Sequence, residues 1–241
     1  MKEYVLVTGA SRGIGRATAA SFARQGFPVL AAARTEKDLL DLSREITEST
    51  GQECLILAGD VGEESFVQEL FDFLTAHGRL KALINNAGIS HIGLLQDMSL
   101  AQWNRLFQTN VTSMFLTCRA AIPLFLSQGG GSIVNVSSVW GLSGASCEAA
   151  YSASKGAVNA YTRALARELA PSGIRVNAAA FGAIETEMNR FLAPEEKQDL
   201  ADEIAMGRFG TAEEAADLIA DLALNHPYLT GQIVTMDGGW T

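Results

Sequence analysis

A chain of 241 residues is long enough for one large α/β domain, and with 48% apolar and 19% charged residues it has the make-up of a protein that buries a sizeable core rather than of a disordered one. Its 18 basic and 27 acidic residues leave a formal charge of −9, the wrong sign for a surface that tracks a phosphate backbone, so nucleic acid is excluded as an expected partner. Cys54, Cys118 and Cys147 lie far apart with no Cys-x-x-Cys pair and read as reduced thiols.

The first strand-like run begins at Tyr4, which leaves no room for a charged leader and apolar signal core. No apolar span of about 18 residues follows, so a cytoplasmic chain without membrane attachment is expected. In chain order, strands are predicted near Tyr4–Val7, Val29–Ala33, Cys54–Ala58, Ala82–Ile84, Ser132–Val136, Arg175–Ala179 and Gln232–Thr235. Between them helical patterns run near Ile14–Gln25, Glu36–Ser49, Glu64–His77, Leu100–Leu126, Tyr151–Leu169 and Glu213–Leu224, the fourth long enough to bend near Pro123. This alternation predicts βαβ units and a doubly wound, seven-stranded parallel sheet in a single domain over 1–241. Ala153, Ala157, Ala160 and Ala164 give the Tyr151 helix one narrow face, which either approaches another backbone closely or packs on its own sheet. The one long irregular stretch, about 181–210, is of mixed polarity and is a candidate substrate lid.

Thr8-Gly9-Ala10-Ser11-Arg12-Gly13-Ile14-Gly15 follows the first strand and opens the first helix. Glycines are needed where a backbone turns sharply against a pyrophosphate, and the helix that follows offers free N–H groups and its positive dipole end to that anion. Gly9, Ser11, Arg12, Gly13, Ile14 and Gly15 are therefore expected to bind a dinucleotide. At the end of the second strand, where an Asp or Glu would accept from a free ribose 2′-hydroxyl, the chain reads Ala33-Arg34-Thr35. Arg34, with Arg12 in the turn, points instead to a 2′-phosphate and to NADP(H). Asp60-Val61 after the third strand and Asn85-Asn86-Ala87-Gly88 after the fourth sit where an open parallel sheet forms its ligand crevice; they also suit ordinary turns.

Tyr151 and Lys155 are four residues apart and share a helix face. A free phenol titrates near ~10, and a neighbouring cation favours the phenolate, so Tyr151 is expected to become a usable acid or base toward a carbonyl or alcohol. His77, His91 and His226 are scattered and no ligand spacing appears, so no metal is expected.

The glycine turn, Asn85-Asn86-Ala87-Gly88, Asn110, the Ser137-Ser138 pair and Tyr151 with Lys155, met in this order, resemble the short-chain dehydrogenase/reductase family over essentially the whole chain. The resemblance implies a Rossmann-type fold and a catalytic tetrad of Asn110, Ser138, Tyr151 and Lys155. Ser138 would hydrogen-bond the substrate carbonyl, Ser137 being structural; Tyr151 would be the general acid. Lys155 would lower its pKa and hold the nicotinamide ribose, and Asn110 would anchor a water relay. It further implies that Asn86 and Gly88 line the adenosine side, with Ala87 between them, and that Ile184 and Thr186 meet the carboxamide end of the nicotinamide. Where the family has Pro-Gly after the sixth strand this chain has Phe181-Gly182, which frees the covering loop or re-aims it.

Within the family, Leu229-Thr230-Gly231-Gln232 and Asp237-Gly238-Gly239 are most similar to 3-oxoacyl-(acyl-carrier-protein) reductases. Such reductases are expected to carry cations at the mouth of the site to grip an acidic carrier. Two natural places for them, Ser127-Gln128-Gly129-Gly130-Gly131 and Pro171-Ser172-Gly173, hold none. The expected function is thus an NADPH-dependent ketone reductase, with a 3-oxoacyl thioester as first substrate. A free ketone, acetoacetyl-CoA or hydroxysteroid is the alternative, and a non-catalytic cofactor sensor or scaffold is the other class. A homotetramer is implied by the resemblance.

Overall fold

Val5, Leu6 and Val7 form a continuous apolar run, as a strand covered on both faces requires. In the computed structural model, which describes residues 1–189 and 193–241, that run is the centre of β1 (Glu3–Thr8). The other strands are β2 (Val29–Ala33), β3 (Cys54–Ala58), β4 (Arg79–Asn85), β5 (Gly131–Ser138), β6 (Ile174–Phe181) and β7 (Ile233–Met236). They form one sheet in the order β3-β2-β1-β4-β5-β6-β7, every pair parallel. The winding reverses between β1 and β4, which opens a crevice beyond their carboxyl ends.

The helices are α1 (Gly13–Arg24), α2 (Glu36–Thr50), α3 (Glu64–His77), α4 (Leu100–Phe107), α5 (Ser113–Gln128), α6 (Trp140–Ser143), α7 (Ala149–Leu169), α8 (Pro194–Glu203) and α9 (Ala212–Leu224). Phe22 of α1, Leu39, Leu42 and Ile46 of α2 and Ile219 of α9 bury against one face of the sheet. On the other face lie Leu70 and Leu74 of α3, Phe125 of α5 and Val158 of α7. The predicted doubly wound, seven-stranded architecture is therefore the one observed. Among the described residues no helix is long and apolar enough to cross a membrane.

The helix predicted over Leu100–Leu126 is two helices, and the break is not at Pro123. It falls at a π turn, Gln108–Thr112, while Pro123 sits inside α5. The proline removes one intrahelical donor, but it and Arg119, whose carbonyl loses that partner, are on the exposed side where water substitutes. The stretch 181–210, read as irregular, contains α8, and Ile204 and Phe209 bury together beside it; its residues 190–192 lie outside the described residues. The small-residue face of α7 does not pack on the sheet: Ala153, Ala160 and Ala164 are exposed, while Ser154, Lys155, Val158 and Leu165 turn inward.

Phe125 is fully buried, and a Cβ added at Gly131 would meet its ring at 2.0 Å, so the wall around it cannot collapse easily. Phe125→Ala is expected to cost about 3–5 kcal/mol, read as a lower denaturant midpoint at unchanged m-value.

Candidate active site

The glycine turn is built on conformations that side chains resist. Gly9 has φ +65° and Gly13 φ +54°. A Cβ on Gly15 would lie 2.3 Å from the Gly9 carbonyl oxygen and 2.4 Å from Asn86 Nδ2. The turn closes on the end of β4 through Asn86, whose Nδ2 donates to the carbonyls of Thr8 (3.0 Å) and Gly9 (3.1 Å). Thr8 Oγ1 accepts in return from the N–H groups of Asn86 (3.0 Å) and Ala87 (3.1 Å). Asn86 thus fixes the shape of the turn as well as lining it, and Thr8 is a site residue that sequence reasoning missed. The first turn of α1 holds no acidic residue, so its N–H groups and positive dipole end face an incoming anion unopposed. Gly15→Ala forces backbone against backbone; overpacking of about 1–3 kcal/mol and weakened cofactor binding are expected, read by melting and by quenching titration with reduced nicotinamide.

Beyond the turn lies a cleft of about 880 Å³ along the carboxyl ends of the strands. Every residue predicted to hold a dinucleotide lines it except Gly15, which sits under the turn. Arg34 is exposed at the end of β2, whereas Arg12 Nη1 is paired with Glu187 Oε2 at 3.1 Å. Asp60 Oδ1 accepts from the Gly62 N–H at 2.8 Å, so its carboxylate shapes a turn while forming part of the wall. Asn85 is buried and serves the fold: its Nδ2 donates to Asn135 Oδ1 at 3.0 Å and its Oδ1 accepts from Thr117 Oγ1 at 2.7 Å.

At the other end the four residues predicted as a tetrad come together. Asn110 is buried in the π turn; its Oδ1 accepts from the Ile89 N–H (2.8 Å), and its Nδ2 donates to the Ile89 carbonyl (2.9 Å) and to Ser154 Oγ (3.0 Å). It ties the loop after β4 to the helix that carries Tyr151. Lys155 Nζ donates to the Val136 carbonyl at 2.8 Å. Gly88 faces it, where an added Cβ would come within 3.6 Å of that nitrogen. Ser138, at the end of β5, lies beside the Tyr151 phenol and accepts from the Trp140 N–H at 3.2 Å. Ser137 points the other way and donates to Asn159 Oδ1 at 2.7 Å.

Burial governs the electrostatics. It pushes the Tyr151 phenol up to about 12, with the Glu148 charge adding to the rise and the Ser138 hydrogen bond opposing it. It also pushes the Lys155 ammonium down to about 8. The phenol therefore moves opposite to the direction expected from helical spacing. The lysine nitrogen sits over the ring, 5.7 Å from its centroid, with a hydrogen bond to Val136, and desolvation of the phenolate outweighs its pull.

Glu148, Ser90, Trp140 and Trp240 also line the cleft and were not predicted. Glu148 had a legible signal, since it precedes Tyr151 by one helical turn; the edge-on pair of Trp140 and Trp240, 4.7 Å between centroids, joins residues too far apart in sequence to be paired from it. Phe181 does not free a loop. It is the last residue of β6, buried and in register with Ser138 and Met236, so a strand continues where a proline would have ended its ladder. Among the described residues no group of three or more His, Cys, Asp and Glu could hold a metal ion, and the three cysteines are free.

The sequence profile of the short chain dehydrogenase family matches residues 3–197. The chain is 38% identical to the oxidoreductase YmfI of Bacillus subtilis, over 100% of this chain and 99% of that one. It is 40% identical to a 3-oxoacyl-[acyl-carrier-protein] reductase of Homo sapiens (99% and 98%) and 36% identical to the reductase FabG of Thermotoga maritima (97% and 96%). A short-chain type dehydrogenase/reductase from Mycobacterium marinum superposes with a TM-score of 0.94 at 36% identity, covering 99% of this chain and 95% of the other. With this match added to the glycine turn and the assembled Ser138, Tyr151 and Lys155, the chain belongs to the short-chain dehydrogenase family, oxidoreductases that work with a nicotinamide cofactor.

Proposed function

We propose that the chain is an NADPH-dependent carbonyl reductase, an alcohol dehydrogenase in reverse, whose first substrate is a 3-oxoacyl thioester. The observation that carries the reaction class is the placing of Ser138 and Tyr151 beside a buried Lys155, in a cleft continuous with the glycine turn. The substrate class is supported by full-length similarity to proteins named 3-oxoacyl-[acyl-carrier-protein] reductase. The cleft suits a dinucleotide, because the bare backbone at Gly13 and Gly88 leaves space that a Cβ would fill. When bound, the nicotinamide supplies the hydride for the carbonyl carbon.

The chain's own residues manage the oxygen. Ser138 donates a hydrogen bond to it and Tyr151 gives it a proton. A phenol held near about 12 is in its acid form at neutrality, as reduction requires. Lys155 holds the ribose and passes a replacement proton toward Tyr151, and Asn110 anchors the relay behind it. Ile184 and Thr186 cover the carboxamide, and α8, which follows them, is assigned to the lid over the site.

Arg34 and Arg12 are assigned to the 2′-phosphate, for which Arg12 would exchange Glu187. Arg34→Asp should lower kcat/KM for NADPH by about 10–100-fold, the scale of one charge-assisted hydrogen bond, without an equal loss for NADH. Equal KM values for the two cofactors in the unaltered enzyme would contradict the assignment.

The substrate is tested by NADPH oxidation with an acetoacetyl thioester on carrier protein, on CoA, and with a panel of cyclic ketones. Lack of turnover with both thioesters would remove the first substrate. The formal charge of −9 favours the second reading, a ketone not borne on an acidic carrier. The cation-free loops do not add to it. Gly131 N–H donates to the Gly173 carbonyl at 3.4 Å, so the two loops meet at the amino ends of β5 and β6, away from the cleft of their own chain. We further assign a cytoplasmic homotetramer, with the exposed alanine face of α7 as one contact; sedimentation mass tests it.

A further inference from the structure

Glu148 stands immediately before α7, one turn ahead of Tyr151, in the wall of the cleft. Its neighbours are neutral: Ser90 Oγ donates to Oε2 at 2.9 Å, and the Trp140 side chain lies beside it. The cations of the same cleft are placed elsewhere. Arg12 is paired with Glu187, Lys155 is bonded to the Val136 carbonyl, and Arg34 stands at the end of β2. A carboxylate taken partly out of water without a cation is costly unless its lone pairs are filled, and it has about four acceptor positions, of which Ser90 fills one. It also lies close enough to Tyr151 for its charge to be felt at the phenol.

We propose that Glu148 determines substrate specificity, its carboxylate accepting a hydrogen bond from a hydroxyl or ammonium group that the substrate carries next to the reacting carbonyl, and turning away substrates with a carboxylate in that place. The inference rests on the carbonyl-reductase reading above and, within it, favours a hydroxy- or amino-substituted ketone over the 3-oxoacyl thioester, whose reacting carbonyl has no such donor beside it. Ser90 and Trp140 hold the carboxyl in place, and Tyr151 and Ser138 fix the carbonyl, so the donor on the substrate is located relative to both. An apolar group of the same size gains nothing at this position, and an anionic one meets like charge.

The test uses three small ketones of one skeleton, hydroxyacetone, butanone and acetoacetate, with NADPH and the full-length enzyme, its Glu148→Gln variant and its Glu148→Leu variant. Ratios of kcat/KM within one preparation cancel any loss of folded protein, and the isosteric Gln variant carries the test should Leu not fold. The unaltered enzyme should favour hydroxyacetone over butanone by about tenfold or more, the scale of a hydrogen bond to a charged acceptor. Both variants should bring that ratio toward one, Leu further than Gln, while raising acetoacetate relative to butanone. Opposite movement of the two ratios is a result that mere structural damage does not produce. Ratios that stay as in the unaltered enzyme, or that move together, overturn the assignment of Glu148 alone. If the unaltered enzyme reduces a thioester but none of the three ketones, the assignment of Glu148 falls and the carbonyl-reductase reading stands; if it reduces neither, both fall.

Discussion

Tyr151→Phe is expected to lower kcat for ketone reduction by about 10²–10⁴-fold while leaving the cofactor dissociation constant nearly unchanged. The variant keeps the ring, and with it the packing against Lys155, but removes the proton that the carbonyl oxygen needs. It also takes the phenol hydroxyl away from beside Ser138, which keeps its hydrogen bond from the Trp140 N–H. Turnover measured beside a binding titration separates the two effects. A variant that binds cofactor, does not turn over and still performs its cellular task would favour the reading of a sensor or scaffold over that of an enzyme.

Lys155→Met should be nearly as damaging, and the pH profile should show why. Burial depresses the ammonium to about 8, so it is charged at neutrality and loses its proton as pH rises through that value. In the free enzyme kcat/KM for the cofactor is therefore expected to be flat near neutrality and to fall above about 8. Tyr151, near about 12, stays protonated over the same range and does not contribute to that fall. Lys155→Arg, which keeps the charge, should lose the alkaline limb, and Lys155→Met should lie low at every pH. Removing the cation also leaves the Val136 carbonyl without its buried donor, a cost of about 1–3 kcal/mol that melting should register.

The parallel sheet was legible because its strands are covered on both faces and read as unbroken apolar runs, such as Val29–Ala33, separated by helical periodicity. The glycine turn was legible because its backbone leaves no choice of residue at Gly9 and Gly15. The break at Asn110 was not, since a π turn has no composition of its own and Pro123 offered a stronger local cue whose cost the solvent absorbs. The phenol's rise could not be read either: spacing shows that Tyr151 and Lys155 share a face, but desolvation depends on walls contributed by β5, α6 and the loop after β4. For the same reason the loops at Ser127–Gly131 and Pro171–Gly173 are expected at the mouth of the site, whereas the register of β5 with β6 sets them at the opposite, amino end of the sheet.

The most direct test is the path of the hydrogen itself. With NADPH deuterated at the transferable C4 position and acetoacetyl-CoA as the carbonyl, the hydroxyl-bearing carbon of the product should carry one deuterium, at a rate that collapses in Tyr151→Phe. Product formed without deuterium, or cofactor consumed equally fast by the Tyr151→Phe variant, would contradict the account.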